Sequence, residues 1–219
     1  MSNIIIAGFT TEGSTDVRFL KSVIQRTFED VAGECNSDIE VHDIQYIPTG
    51  KGSFREEILK AAIHADEIGV MVLCVHTDAD AEDDNRAFED RINPAFSYVS
   101  EHENGACKNL VAIVPIQMTE AWMLADKELF KEEIYTQRSN RNLGIEEPPE
   151  KITDPKAAIK TAIRIAFEDR PRRRQKPDIK ELYLPLGQKI GLHQLSKLPS
   201  YQKFKDGVRG AFHTLNFLQ

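Results

Sequence analysis

The sequence predicts an α/β fold, with a mostly parallel central sheet of about four strands flanked by helices and a helical C-terminal extension. Three observations carry this expectation. The runs "NIIIAGF" (3–9), "GVMVLCVH" (69–76) and "NLVAIVPIQM" (109–118) are near-continuous and rich in Val and Ile, as strands buried on both faces are. Amphipathic helical patterns separate them, and strand–helix–strand alternation builds parallel sheets. Beyond Met118 no further strand pattern occurs.

In chain order, "STDVRFLKSVIQRTFEDVA" sets Val17, Leu20, Ile24, Phe28 and Val31 on one stripe at helical spacing. "IEVHDIQYI" (39–47) alternates apolar and polar residues, which suits an edge strand. "SFREEILKAAIHAD" is a second amphipathic helix, and Gly50 and Gly52 before it are turn residues. "DNRAFEDRINPAFSYVSEH" is a third helix, interrupted at Pro94. "TEAWMLADKELFKEEI" is a fourth, with a break near Asp126. Residues 135–154 are polar and proline-bearing and read as a linker or long loop. A helix then starts with Asp154 as N-cap and Pro155 at its first position. The expected division is a core over 1–134, the linker over 135–154, and a basic helical extension over 155–219 that packs on the core.

Composition narrows the class. Of 219 residues, 41% are hydrophobic and 29% charged, which suits a globular chain with a real core. No apolar run approaches the ~20 residues of a membrane span, so no membrane partner is expected. Cys35, Cys74 and Cys107 are odd in number and scattered, which fits reduced thiols and a cytoplasmic protein. The net charge of −7 is unevenly spread. Residues 151–219 hold 15 Lys/Arg against 6 Asp/Glu, while residues 1–150 are strongly acidic. A basic segment on an acidic body suits contact with a polyanion such as nucleic acid, or else a solvated helical face.

The chemistry concentrates at strand ends. Glu12 and Asp16 follow the first buried run, Asp78 and Asp80 follow "VMVLCVH", and Glu120 follows "VPIQM". In open α/β sheets ligands bind outside the carboxyl ends of the strands, so neighbouring strands would bring five acids into one crevice. Their mutual repulsion calls for a cation, and hard oxygen donors suit Mg²⁺ or Mn²⁺. Zinc is disfavoured, because no Cys or His pair has ligand spacing. Each residue also has a plainer reading. Ser14 and Thr15 are good N-caps, Asp16 and Glu120 suit a first helical turn, and Glu82, Asp83 and Asp84 suit a solvated helix start. "DADAEDD" is no calcium loop, since Asp83 stands where that loop needs glycine. His76 reads as a packed or hydrogen-bonded strand-end residue, outside the site. Trp122 reads as core.

In order and spacing, "EGSTDVRFL", "VHTDADA", "VPIQMTEAWMLAD" and "DPKAAI" resemble the TOPRIM fold. The fuller stretch resembles more closely still the small standalone bacterial TOPRIM-like proteins related to the overcoming-lysogenisation-defect type nucleases. This resemblance implies a TOPRIM-like core over residues 1–134 and a divalent-metal site for phosphodiester hydrolysis. It implies Glu12 as metal ligand or acid–base group, Asp78 and Asp80 as metal ligands, and Asp16 and Glu120 as the acids of a second metal. Lys156, in "DPK", matches a catalytic lysine. Arg172, Arg173 and Arg174 would grip nucleic-acid backbone phosphates. The resemblance further implies a bacterial phage-defence setting. The nucleases this sequence resembles often carry an ATPase in the same chain. This sequence lacks a phosphate-binding loop, so an ATPase would act as a separate partner, and a non-catalytic binding module is the alternative.

Overall fold

The structure is a computed structural model and describes residues 3–169 and 176–218. The first half runs β1 (Asn3–Ile5), β2 (Ala7–Thr10), α1 (Asp16–Ala32), β3 (Ile39–Val41), β4 (Gln45–Tyr46), α2 (Phe54–Glu67) and β5 (Val72–His76). Then come α3 (Asn85–Ala87), a π-helical turn (Phe88–Ile92), α4 (Asn93–Glu101) and β6 (Leu110–Ile113). Helices α5 (Thr119–Met123), α6 (Lys127–Glu133), α7 (Asn140–Leu143), α8 (Pro155–Ala166), α9 (Ile179–Lys189), α10 (Leu192–Leu195) and α11 (Pro199–Thr214) complete it, with a 3₁₀ turn at Pro149–Lys151.

The sheet is parallel in every pairing. Four strands lie in the order β4-β2-β5-β6, and β1 pairs with β3 beside them. The first apolar run therefore serves two pairings. Its first half meets β3, and its second half meets β4 and β5, with Ile6 between them accepting a hydrogen bond from the Met71 amide. The alternating stretch 39–47 does lie at an edge, as β3 and β4.

Helices cover both faces. Val72 and Cys74 of β5 belong to a core shared with Phe19, Leu20 and Phe28 of α1, Tyr183 and Leu186 of α9, and Phe204 and Phe212 of α11. The alternate residues Leu73 and Val75 face Ile58 and Ala62 of α2 and Ala95 and Val99 of α4. This is the period-2 alternation of a strand buried on both sides. Each fully buried Phe or Leu contributes about 1.5–3 kcal/mol relative to exposure.

Several local expectations change. The run 109–118 is a strand only to Ile113. Beyond it the chain still lies beside the continuation of β5: the Thr77 amide donates to Ile113 C=O and the Ala79 amide to Pro115 C=O. Pro115 has no N–H to continue a ladder. Pro94 does not interrupt its helix. The π-helical turn lies directly before it, with the Asn93 amide reaching back five residues to Phe88 C=O, and Pro94 sits in the first turn of α4. A widened turn of this kind accommodates a missing donor and is frequent near functional sites. The break at Asp126 is real, and its side chain caps α6. Asp84 is buried and pairs with Lys203 of α11 at 2.6 Å, so it is not part of a solvated helix start.

The polar stretch 135–154 carries α7, the 3₁₀ turn and two fully buried residues, Leu143 and Ile145, in the same core as α1 and α9. The basic extension also answers the acidic body. Lys156, Lys189, Lys203 and Lys205 pair with Glu120, Glu133, Asp84 and Asp30, and Arg209 pairs with Glu34. Part of the charge asymmetry is thus internal complementarity. Among the described residues no helix is long and apolar enough to cross a membrane, and the three cysteines are free.

Candidate functional site

Three neighbouring strands, β2, β5 and β6, deliver acids from their carboxyl ends. The chain leaves β2 for a partner on one side (β4) and later adds β5 on the other, so the point where strand order reverses lies between β2 and β5. Glu12 and Thr77 meet there, with Thr77 Oγ1 donating to Glu12 Oε1 at 2.6 Å.

The site has an inner half and a rim. The inner half holds Asp16, Asp78 and Glu120, with His76, Thr119, Lys156 and Tyr183 around them. Asp16 opens α1, where Thr15 takes the N-cap position without a side-chain capping bond. The Asp16 carboxylate turns inward and is buried. One of its oxygens lies 2.5 Å from where a Cβ on Gly13 would stand, which is a direct reason for glycine in "EGSTD". Asp78 Oδ1 accepts from the Thr119 amide at 2.8 Å and from Thr119 Oγ1 at 3.2 Å, and lies 3.3 Å from His76 Nε2. Glu120 is only 2% exposed, yet it faces two donors: Tyr183 Oη at 2.5 Å and Lys156 Nζ at 3.0 Å. Asp154 caps α8 by accepting from the Ala157 amide, and this fixes Lys156 in the helix's first turn.

Electrostatics ties these groups together. Burial is the main reason the Asp16 carboxyl is pushed up to about 6; His76 and Lys156 work against the rise, while Asp78 and Glu120 add to it. Burial also acts against the charge on Asp78, but His76 and the Thr119 donors outweigh it and hold that carboxyl below its ordinary value. For His76 burial disfavours the cation, and the surrounding Asp78, Asp16 and Glu12 more than reverse this, so its pKa is raised. The hydrogen bond to Glu120 raises Lys156. Burial, then Glu120, drives the Tyr183 hydroxyl upward, so it stays a donor.

The rim holds Glu12 and Asp80, both largely in solvent, with Arg91 from the π-helical turn between them. Arg91 Nη1 donates to Glu12 Oε1 at 3.1 Å and to Thr77 Oγ1 at 2.8 Å, and Nη2 stands 4.0 Å from Asp80 Oδ2. Asp80 has φ +52° and Gln117 φ +63°. The two are joined by the Asp80 amide donating to Gln117 C=O at 2.8 Å, while the Gln117 amide donates to Ala81 C=O at 3.0 Å. Left-handed backbone at a non-glycine residue costs about 1–3 kcal/mol, less for Asp, and such residues cluster at functional sites.

The structure therefore gathers Asp16, Asp78, Glu120 and Lys156 within electrostatic reach of one another and sets Glu12 and Asp80 at their edge. Arg172, Arg173 and Arg174 lie outside the described residues. His76, set aside on sequence grounds, belongs to the inner half. Thr77, Arg91, Thr119 and Tyr183 carried no usable sequence signal. Arg91 is one polar residue in an amphipathic helix, and Tyr183 reads as core and lies 63 residues from its partner Glu120. The donors fit Mg²⁺ or Mn²⁺ in kind, being carboxylate oxygens, and Asp78 and Glu120 both raise the Asp16 carboxyl. As they stand, among the described residues no three His, Cys, Asp or Glu side chains form a group able to hold a metal ion. Arg91 and Lys156 supply the positive charge.

Comparison with curated proteins and with solved structures found no match. A family model described as "Domain of unknown function (DUF4276)" matches residues 11–209, nearly the whole chain, and the protein belongs to that family.

Proposed function

We propose that this protein is a divalent-metal-dependent nuclease that hydrolyses phosphodiester bonds in DNA or RNA. The observation that carries this reading is the delivery of Glu12, Asp16, Asp78, Asp80 and Glu120 from the carboxyl ends of three adjacent parallel strands, at the reversal point of the sheet. Asp16, Asp78 and Glu120 are the residues that would hold Mg²⁺ or Mn²⁺ in the inner half, with Glu12 and Asp80 at the rim. A bound metal of this kind polarises a phosphoryl oxygen and lowers the pKa of a water. The chain's own residues set the stage. His76 and Thr119 keep Asp78 ionised and oriented, as hydrogen-bonded outer partners of a ligand do. Lys156 is the cation available to a phosphate beside Glu120, its side chain being about half exposed. Glu12, whose Oε1 accepts from Thr77 and Arg91, is the candidate proton acceptor.

The test is incubation of the purified protein with single- and double-stranded DNA and RNA in Mn²⁺, Mg²⁺ or EDTA, beside an Asp78→Ala control. Metal-dependent cutting, reduced at least about 100-fold in the variant, is the expected result. A second reading is a non-catalytic nucleic-acid-binding module that partners a separate ATPase. The pairing of Arg91 and Lys156 with the site's acids favours it. Nucleic-acid binding with no cutting under any condition would select it.

A further inference from the structure

Two buried polar atoms beside the crevice stand outside its hydrogen-bond network. His76 and Thr10 are each only 1% exposed, yet His76 Nδ1 and Thr10 Oγ1 have no hydrogen-bond partner among the described residues. They are close in the sheet, since Thr10 of β2 pairs in register with Val75 of β5, the residue before His76. Both residues line one small cavity at the carboxyl ends of these strands, which Phe54 and Ile58 of α2 also line. An unpaired polar group loses its hydration on burial with nothing to offset the loss, so such groups are rare and call for a partner. The cavity measures about 10 Å³, room for a single water molecule and too little for a phosphate or a hydrated metal ion.

The hydrogen-bond chemistry asks for the same occupant. Thr119 Oγ1 gives its one hydrogen to Asp78 Oδ1, at 3.2 Å. Toward His76 Nε2, at 3.0 Å, it can therefore only accept, so Nε2 carries a hydrogen. Nδ1, on the other side of the ring, then presents a lone pair in the neutral imidazole and an N–H in the cation, and water answers either. Thr11, whose hydroxyl donates to Gly13 C=O at 2.9 Å, lines the same cavity and offers its oxygen as a third partner. We propose that the cavity is the site of one internal water, bound between Thr10 Oγ1 and His76 Nδ1, and that Thr10 acts through it as a positioning residue for Asp78. The line runs from Thr10 through the water to the His76 ring, and from the ring to Asp78 Oδ1, 3.3 Å from Nε2. A ring held at both nitrogens keeps its orientation and its tautomer, and with them the direction of the Asp78 carboxylate. None of these contacts involves a metal, so the water site stands apart from the metal reading above.

The experiment uses the full-length protein in EDTA. A high-resolution crystal structure of the wild type should show one ordered water within about 2.7–3.2 Å of both His76 Nδ1 and Thr10 Oγ1. A protein group bonded directly to either atom, or a cavity without ordered water, overturns the proposal. Its positioning half is read from ¹H–¹⁵N spectra, through the Thr119 amide that donates to Asp78 Oδ1. Thr10→Val keeps the shape and removes the hydroxyl, and should lose the water and shift the Thr119 amide resonance. Thr10→Ser keeps the hydroxyl and should leave that resonance at its wild-type position. Thr10→Ala gives the same reading as the valine variant should that one not fold. A Thr119 amide unmoved in the folded variant without the hydroxyl rejects the positioning role, even with the water in place in the wild type.

Discussion

The two halves of the crevice carry the same kind of group and behave differently. The inner acids Asp16 and Glu120 are 8% and 2% exposed, whereas the side chains of Glu12 and Asp80 at the rim are 43% and 63% exposed. Inside, charge has little water to screen it. Asp16 responds by holding its proton to about pH 6, and Glu120 is paired with a lysine and a tyrosyl hydroxyl. At the rim, solvent does most of that work, and Arg91 makes exchangeable pairs. The contrast assigns stability effects to the inner half and exchangeable ionic contacts to the rim.

Perturbations of decreasing size test that contrast. The largest effect is expected from Lys156→Met, which takes from the buried Glu120 its cationic partner and leaves it the Tyr183 hydroxyl. Discounted for the half-exposed lysine, it should destabilise by about 2–3 kcal/mol in urea unfolding at pH 8. A loss below about half a kcal/mol would mean that water reaches Glu120.

Next comes Asp16. Its folded pKa, about 6, stands above the ordinary 3.8, so the folded state binds the proton more tightly than the unfolded chain. That contribution to stability is fully present below about pH 4 and is lost as pH rises through 6. Asp16→Asn removes the penalty of a buried charge. In EDTA it should match the wild type near pH 4 and exceed it by up to about 2–3 kcal/mol at pH 8. A pH-independent difference would break the account. The smallest effect is expected from Glu12→Gln at the rim, under about 1 kcal/mol and shrinking with added salt. A larger loss would show that Thr77, Glu12 and Arg91 act as a structural unit.

Much of this crevice was legible in the sequence because strand ends are legible. Continuous Val/Ile runs locate buried parallel strands, and the acids immediately after them must emerge on one side of the sheet. The Asp154–Pro155 start announced the helix that presents Lys156. What stayed hidden depends on tertiary packing. Nothing local distinguishes Arg91 from other surface arginines until the π-helical turn sets its direction. His76 looked like a packed strand end, and it is packed, yet its ring nitrogen reaches Asp78. The polar, proline-bearing stretch 135–154 looked like a linker because its two buried apolar residues, Leu143 and Ile145, are too few to form a periodic pattern. The N-cap reading of Thr15 placed the helix start correctly, and Asp16 beside it takes the crevice role also read from its place after the first strand.

Gly187 lies in α9 and is not a residue of the site. A Cβ there would stand 2.6 Å from the carbonyl oxygen and 2.7 Å from the Cα of Phe19 in α1, both backbone atoms that cannot swing aside. Arg26 of α1 fastens the same contact by donating to the carbonyls of Gly187 and Ile190. Asp16 lies about one turn before Phe19 on the first helix, and Tyr183 one turn before Gly187 on the second. The gauge of the crevice, meaning how far a buried carboxylate stands from the hydroxyl that serves its neighbour, is therefore set by an uncharged touch between two helix backbones. A single methyl group at position 187 would widen it without altering any residue of the site.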